Sequence, residues 1–542
     1  MSKINNKRFY IKLPILLSLA IVCGIFIGAT LFDNNNKNNI VSNYMKFAEI
    51  LTYIQKDYVD TVNIDDLVDH AIVKMLEKLD PHTAYIPKKD IDIARSQLEG
   101  DFEGIGIEFN IIKDTIFVIA PISGGPSEEV GLMAGDKIVK VDGENVAGIG
   151  ITNMDVFGKL RGKKGTKVTV SVVRKGARST LDFTITRDKI PTYSVDVSYM
   201  IDNNTGYIKV SRFSASTYTE FKQALVELKS KGMKQLVLDL RDNPGGYMDR
   251  ATKMVDDFLP EKKMIVYTKG KDSRYNSEIK SSTTGAFEKG PVIVLINEGS
   301  ASASEIVSGA LQDHDRALLI GRRTFGKGLV QMPIPLNDGS ELRLTISRYY
   351  TPSGRSIQKP YSSSEDYSTD IIKRYQHGEF FHKDSIHFDD SLKYSTVAGR
   401  TVYGGGGIMP DIFVPRDTSM YTNYLAELFN KNIIREYTLD YFNANKQKLK
   451  SMEFNDYLKN FQVTDKMLQD LIELGKRSDI KYKESEFNRS KEFIKTNVKA
   501  YIARSVWGNA GFFPVINNYD EVFQHAMKNF DKAKKIEKES KL

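Results

Sequence analysis

Hydrophobic spacing changes along the chain and divides it. From Tyr44 to about Gln97, YMKFAEILTYIQKDY and DDLVDHAIVKMLEKL place apolar residues three and four apart. This predicts two helices, the second ended by Asp80-Pro81. From Gly100 to about Arg187 the pattern turns to short strands: GIGIEFNII, TIFVIAPI, DKIVKVDG, KVTVSVVRKG and STLDFTITR. Glycine turns part them, so a small β-rich domain is expected. From about Ile190, strands alternate with amphipathic helices: TGYIKVSRF, YTEFKQALVELKSKG, QLVLDLR, YMDRATKMVDDFL, PVIVLINEG, SASEIVSGALQDHD and RALLIGR. The strands are apolar nearly throughout, so their sheet must be covered on both faces. Tyr361 to Val397 is polar and reads as a surface insertion. From about Thr418 to Leu542 the chain is helical and lysine-rich, with VWGNAGFFPVINN as an aromatic interruption. Its apolar stripes (YLAELFNKNIIREY, YLKNFQ) predict packing against the body of the chain, a second copy or an adaptor. The final KAKKIEKESKL reads as a solvated, fraying helix end.

Composition narrows the class. At 542 residues the chain is too long for one core. Charged residues at 27% and hydrophobic residues at 41% describe a globular protein. The net charge of +8 is spread along the chain without a nucleic-acid signature, so no nucleic-acid partner is expected. The single cysteine, Cys23, excludes a disulfide framework, a zinc cluster and a cysteine nucleophile, and no metal site is expected. Cys23 lies in LPILLSLAIVCGIFIGATLF, Leu13 to Phe32, an uncharged run about long enough to span a bilayer. Lys3, Lys7, Arg8 and Lys12 precede it, and Asp33 with an asparagine-rich run follows. That bias keeps residues 1–12 in the cytosol and puts the rest outside, as in a single-pass inner-membrane protein facing the periplasm. Without a clean small-x-small cleavage site, an anchor is favoured over a cleaved signal peptide. Val22 is too bulky for a lipoprotein site at Cys23.

The candidate chemistry lies in EGSASASEIVSGALQDHD, Glu298 to Asp315, which holds four serines. A strand, a tight turn and a helix lift a side chain off the sheet edge and offer free amides with a positive dipole end. An oxyanion needs such donors. The plain alternative is a helix capped by Ser304 with Glu305 close by. A serine also needs a base. His314 is twelve residues beyond Ser302 at the far end of the same helix, roughly 18 Å away at the helical rise, and cannot reach. Lys327 in TFGKGLVQ sits between two glycines after an apolar strand. Burial can bring a lysine toward neutrality, and Gln331 could hold its amine.

These blocks carry a resemblance. GSASASEI, ALQD and GRRTFGKGLVQ, with LDPHTAYI and LDLRDNPGG upstream and VYGGGGIMPD downstream, resemble the carboxy-terminal processing peptidases, or tail-specific proteases. The resemblance covers roughly Phe47 to Pro415. It implies a serine–lysine dyad with Ser302 as nucleophile, Lys327 as base 25 residues on, and Gln331 as the base's partner. An oxyanion hole would combine the Ala303 amide with one from the turn at Asn243-Pro244-Gly245-Gly246, where Gly245 and Gly246 are not separable from sequence. Asp313 would support the helix end or be purely structural.

FEGIGIEF and PISGGPSEEVGLMAGDKIVKVDGENV resemble a PDZ domain. Such domains add an extended peptide to a sheet edge and hold its carboxylate in backbone amides. Gly104, Ile105, Gly106 and Ile107 form the matching loop. Arg161, in LRGKKGTKV, would couple peptide binding to the dyad. The expected architecture is multidomain α/β: a crotonase/Clp-protease-like core with an inserted β-rich PDZ domain, an N-terminal helical region and a C-terminal helical extension. The boundaries are 1–12 cytosolic, 13–32 transmembrane, 40–99 N-terminal helices, 100–187 PDZ, 188–416 protease core (361–397 insertion) and 417–542 extension. The implied activity is a serine endopeptidase that recognises apolar C-termini of extracytoplasmic proteins and trims or degrades them without a cofactor. A tail-binding scaffold with a lapsed protease, and a thioester-acting crotonase relative, are the rivals. The retained Ser302, Lys327 and Gln331 oppose the first, and the absence of a coenzyme A signature opposes the second.

Overall fold

The structure, a computed structural model, describes residues 18, 20–22, 35–122, 124–282, 284–361, 364–386 and 389–540. The expected cytosolic stretch 1–12 lies outside them, as does the membrane segment 13–32 except for four positions. Among the described residues no helix is long and apolar enough to cross a membrane. The chain separates into two compact units that divide between Leu76 and Glu77. The first contains the helices Asn35–Asp57 and Ile64–Leu76.

The second unit is built on a six-stranded sheet. Its order is Val195–Met200, Thr205–Val210, Gln235–Asp239, Val292–Ile296, Leu318–Gly321, Ile412–Phe413. The first pair is antiparallel and the rest run parallel. The side chains alternate as a strand's period of two requires. Leu236, Leu238, Val294 and Ile296 pack on one face against Phe221, Leu225, Met254 and Val307 of the crossover helices. Tyr207, Val237, Ile293 and Leu295 face the other way, onto Val522, Phe523, Ala526 and Phe530. The two-sided cover expected from the apolar strands is present, and its second layer comes from the end of the chain.

This corrects the reading of the tail. The helix Phe530–Glu539 is no solvated end: Phe530 and Ala533 are buried on the sheet, and Glu537 accepts the Gly290 amide at 2.6 Å. Its lysines occupy the outer face and mask the stripe. Residues 423–508 instead form their own helical core around Leu428, Leu471, Ile494 and Val498. That body leans on the β-rich domain through Arg504–Glu108 (3.0 Å) and Lys175–Asp440 (2.6 Å).

The β-rich domain is an antiparallel sheet in the order Ile107–Ile111, Ile116–Pro121, Lys137–Val141, Lys167–Val173, Leu181–Thr186. Ile107–Ile111 is therefore an edge strand, and the helix Asn153–Leu160 packs on the same core. A ribbon pairing Asp101–Gly104 with Asp188–Pro191 carries the chain in and out. A second sheet joins Ala84–Ile86, Met264–Gly270, Ser277–Lys280 and Leu329–Pro335 around Glu341–Tyr350. The LDPHTAYI block thus belongs to the larger unit, with Tyr85 opposite Leu342.

Candidate active site

Strand Val292–Ile296 runs into a turn and then the helix Ala303–Asp313, as expected. Ser302 caps that helix with φ +54° and ψ −112°, a backbone conformation that costs a non-glycine residue about 1–3 kcal/mol. The other three serines of the stretch have occupied hydroxyls. Ser300 Oγ donates to Leu240 O (2.8 Å), Ser304 Oγ to Asn243 O (2.9 Å) and Ser308 Oγ to Ser304 O (2.8 Å). Only the Ser302 hydroxyl, which faces the Glu305 amide in a capping box, donates to nothing among the described residues. It lines a cleft of about 660 Å³ together with Lys327 and Gln331. Apolar walls come from Met248, Ile306, Leu329 and Val330, and charge at the mouth from Arg95, Glu341 and Arg343.

Part-burial pushes the Lys327 amine below its ordinary value, against the opposing pull of Glu305 and Asp80. The amine makes no hydrogen bond with Ser302 or Gln331. Gln331 Nε2 donates instead to Thr345 Oγ1 (3.2 Å), whose hydroxyl donates to Asp80 Oδ1 (3.1 Å). The expected Lys327–Gln331 contact is therefore replaced by a chain into the LDPHTAYI segment.

The turn before the cleft separates the two glycines. Gly245 N–H already donates to Asn243 Oδ1 (2.9 Å), whereas Gly246 N–H has no partner among the described residues. A Cβ on Gly245 would sit 2.8 Å from Ser302 Cβ and 2.9 Å from Ala303 N, so only glycine lets this turn lie against the serine. The available amides are those of Ala303, in the first helical turn, and Gly246.

One carboxylate missed by sequence reasoning ties these parts together. Glu305 is wholly buried. Its Oε2 accepts Ser302 N–H and Lys327 N–H, each at 2.8 Å, and its Oε1 accepts Gly326 N–H at 2.7 Å and the Thr324 hydroxyl. Burial raises its pKa to about 7 in spite of these donors. Tyr349, also buried, donates its hydroxyl to the Lys327 carbonyl, with Ser302 O 3.1 Å away. The sequence pointed to Ser304 as the cap with Glu305 close by; the cap is Ser302, with Glu305 three residues on, and the partners of Glu305 19 to 22 residues further along were not visible.

The remaining candidates lie elsewhere. Asp313 pairs with Arg355 (2.7 Å) in full burial and accepts Ser353 N–H, a structural arrangement at the helix end. His314 turns to Met264 O (2.6 Å). In the β-rich domain, the carbonyls of Ile105 and Gly106 are tied inward by Ser127 and Ile122, and the amides of Ile105 and Gly106 have no partner among the described residues. Beside Gly104–Ile107, a pocket of about 40 Å³ is walled by Phe102, Phe157 and Arg161. Arg161 stacks on both rings and donates to Ser96 Oγ (2.7 Å), on the helix Ile91–Glu99 that leads into the domain. Among the described residues no His, Cys, Asp and Glu cluster could hold a metal ion.

Residues 204–367 match peptidase family S41, 104–185 match a PDZ domain, and 424–508 match a family of unknown function, DUF8443. The carboxy-terminal-processing protease of Bartonella bacilliformis is 38% identical over 347 residues, which cover 62% of this chain and 79% of that protein. The chain belongs to peptidase family S41. It is a serine-type peptidase of the carboxy-terminal processing group, with a PDZ domain inserted before its core. Carboxy-terminal processing protease CtpA of Bacillus subtilis is 36% identical over 319 residues, 59% of this S41 peptidase and 67% of the relative. Among solved structures, the photosystem II D1 C-terminal processing protease is 32% identical, covers 58% of this chain and 83% of its own, and superposes with a TM-score of 0.35.

Proposed function

We propose that this S41 peptidase is a membrane-tethered serine endopeptidase facing the cell envelope, cutting extracytoplasmic proteins that it recognises by their apolar C-termini. The apolar run 13–32 and the cations before it support the tether. The free edge of strand Ile107–Ile111 and the unpartnered amides of Ile105 and Gly106 support the recognition, since an added peptide strand would end with its carboxylate at those donors. The observation that carries the chemistry is the Ser302 hydroxyl, the one of four that donates to nothing among the described residues, on a strained backbone and lining a cleft that Lys327 also lines.

In the proposed cycle Lys327 acts as a neutral amine. It takes the proton of Ser302 Oγ as that oxygen attacks the scissile carbonyl, and the Ala303 and Gly246 amides receive the oxyanion. Lys327 then passes the proton to the leaving amine. It next takes a proton from the water that attacks the acyl-enzyme and returns it to Ser302 Oγ as the acyl–oxygen bond breaks and the new C-terminal carboxyl leaves. The test is cleavage of an unfolded protein with an apolar tail. Ser302→Ala and Lys327→Ala lower kcat by about 10³-fold or more, by analogy with removal of members of other serine-protease catalytic sets. His314→Ala cuts like wild type. An active Lys327→Ala beside an inactive His314→Ala overturns the dyad.

A further inference from the structure

The segment expected as a surface insertion does more than cover surface. Its helix Ser364–Gln376 presents Tyr367, Asp370 and Arg374 at three- and four-residue spacing, on one face, to the loop that carries Lys327. Arg374 is 5% exposed. Its Nη1 donates to Thr324 O (3.0 Å) and its Nη2 to Arg323 O (2.9 Å). Its Nε donates to Glu379, which also takes Arg323 Nε (2.8 Å). Two turns earlier, Tyr367 is buried beside the Phe325 ring (5.7 Å), and its hydroxyl lies 2.7 Å from His82 Nε2. Lys359 sits between these groups. Its Nζ is 4.0 Å from the Phe325 ring and 4.1 Å from the Tyr367 ring, it pairs with Asp370 (2.9 Å), and its amide donates to Gly326 O (2.9 Å).

The loop needs such restraint. Lys327 stands between Gly326, at φ +90°, and Gly328, and a backbone this free does not by itself hold an amine in one place. A guanidinium bridging two successive carbonyls has a fixed fork geometry that a flexible ammonium lacks. We propose that the helix Ser364–Gln376 sets the position of the Lys327 amine, with Arg374 and Tyr367 as positioning residues. Arg374 acts through the Arg323 and Thr324 carbonyls. Tyr367 acts through Phe325 and His82. This rests on the reading of Lys327 as the base. The groups facing Lys327 are Glu305, Asp80, Arg343 and His82, and those facing Arg374 are Glu379, Arg323 and Asp370, so none of the three variants below removes a charge that acts directly on the amine.

The experiment uses the full chain, with kcat and KM on the apolar-tailed protein, the rate of serine labelling by a small fluorophosphonate, and Tm. Displacement of a reacting group by about an ångström costs about 10²-fold, so Arg374→Ala should lower kcat and the labelling rate by about 30- to 100-fold with KM within about twofold. Arg374→Lys should recover part of both rates, and Tyr367→Phe, which removes one hydroxyl, should lose about three- to tenfold at unchanged Tm. A fluorophosphonate needs no peptide groove, so its slowing reports on the dyad alone. Wild-type kcat in both Tyr367→Phe and Arg374→Lys overturns the inference, as does a loss confined to KM or matched by the unfolded fraction. If Lys327→Ala is inactive while these variants cut normally, only this inference fails. If Lys327→Ala cuts like wild type, the dyad reading fails and this inference with it.

Discussion

Glu305→Gln separates stability from alignment at this site. The carboxylate accepts four donors, two on each oxygen. A glutamine keeps one oxygen and turns its NH2 toward the other pair. Whichever way it turns, two donors lose their acceptor and face an NH2 while the other two keep a neutral oxygen, and hydrogen bonds to charged groups are worth about 1.5–3 kcal/mol each. The gross loss is therefore about 3–6 kcal/mol. Against it stands the cost of keeping a charge in full burial. A carboxyl raised from 4.5 to about 7 carries a penalty of about 3 kcal/mol once ionised. Because the folded-state value is raised, the stability from the protonated form is present below 4.5 and is lost as pH rises through about 7. Glutamine carries no such loss, so at pH 8 the deficit narrows to about 0–3 kcal/mol and the variant stays folded. Relative to wild type its Tm rises as pH goes from 5 to 8. Alignment is not offset, because one of the two pairs, Ser302 with Lys327 or Gly326 with Thr324, loses its anchor, and kcat falls by about 10²-fold with KM little changed. The assay is kcat and KM beside thermal unfolding across that pH range. A variant with wild-type kcat, or one whose activity loss follows its unfolded fraction, refutes the reasoning.

The activity of the wild type should rise with pH, because the base must be neutral and Glu305 must be ionised to hold its amides. The part of that rise centred near 7 should be missing from Glu305→Gln in a kcat/KM profile. Phe523→Ala, deep in the layer formed by the chain's end, should cost about 3–5 kcal/mol by chemical denaturation, and a cost under about 1 kcal/mol would deny that layer its place in the core. Arg241 holds the buried Asp239 well below the ordinary carboxylate range and also pairs with Asp520 (2.6 Å). The depressed value gives stability that is present above 3.8 and lost as pH falls. Arg241→Ala should remove that acid sensitivity and cost about 3–5 kcal/mol at pH 7, read from unfolding curves at pH 3 and 7.

Much of the fold was legible where burial is apolar and local. The runs VLDL and VIVLI announce strands covered on both faces, and the structure buries Leu236 and Val237 on opposite sides. The serine turn was legible as a strand–turn–helix, though three of its four hydroxyls are identifiable as structural only through Leu240, Asn243 and Ser304 carbonyls that the sequence does not bring together. What stayed hidden is held by polar groups in burial. Arg374, Glu379 and Lys359 look like surface residues because they are charged, yet they are buried, Arg374 paired with Glu379 and Lys359 with Asp370. Thr345 meets Asp80 across 265 positions, a contact without periodicity. The last helix misled for a related reason: lysines on its outer face outnumber the Phe530 and Ala533 that anchor it.

The geometry around Ser302 and Lys327 also says what substrate must supply on the dyad reading. The strained turn, the Glu305 anchor and the Tyr349 hydroxyl fix the two backbones, and the two side chains share the cleft without a hydrogen bond between them. A cleft of about 660 Å³ open to water keeps part of the amine's hydration, and that hydration favours its charged form. A peptide laid along Leu329, Val330 and Ile306 displaces that water. Its burial acts on Lys327 in the direction already present, lowering the amine further while the walls stay apolar. Binding energy from residues far from the scissile bond is thereby converted into a neutral base, so a short substrate that leaves the cleft wet loses kcat rather than affinity alone.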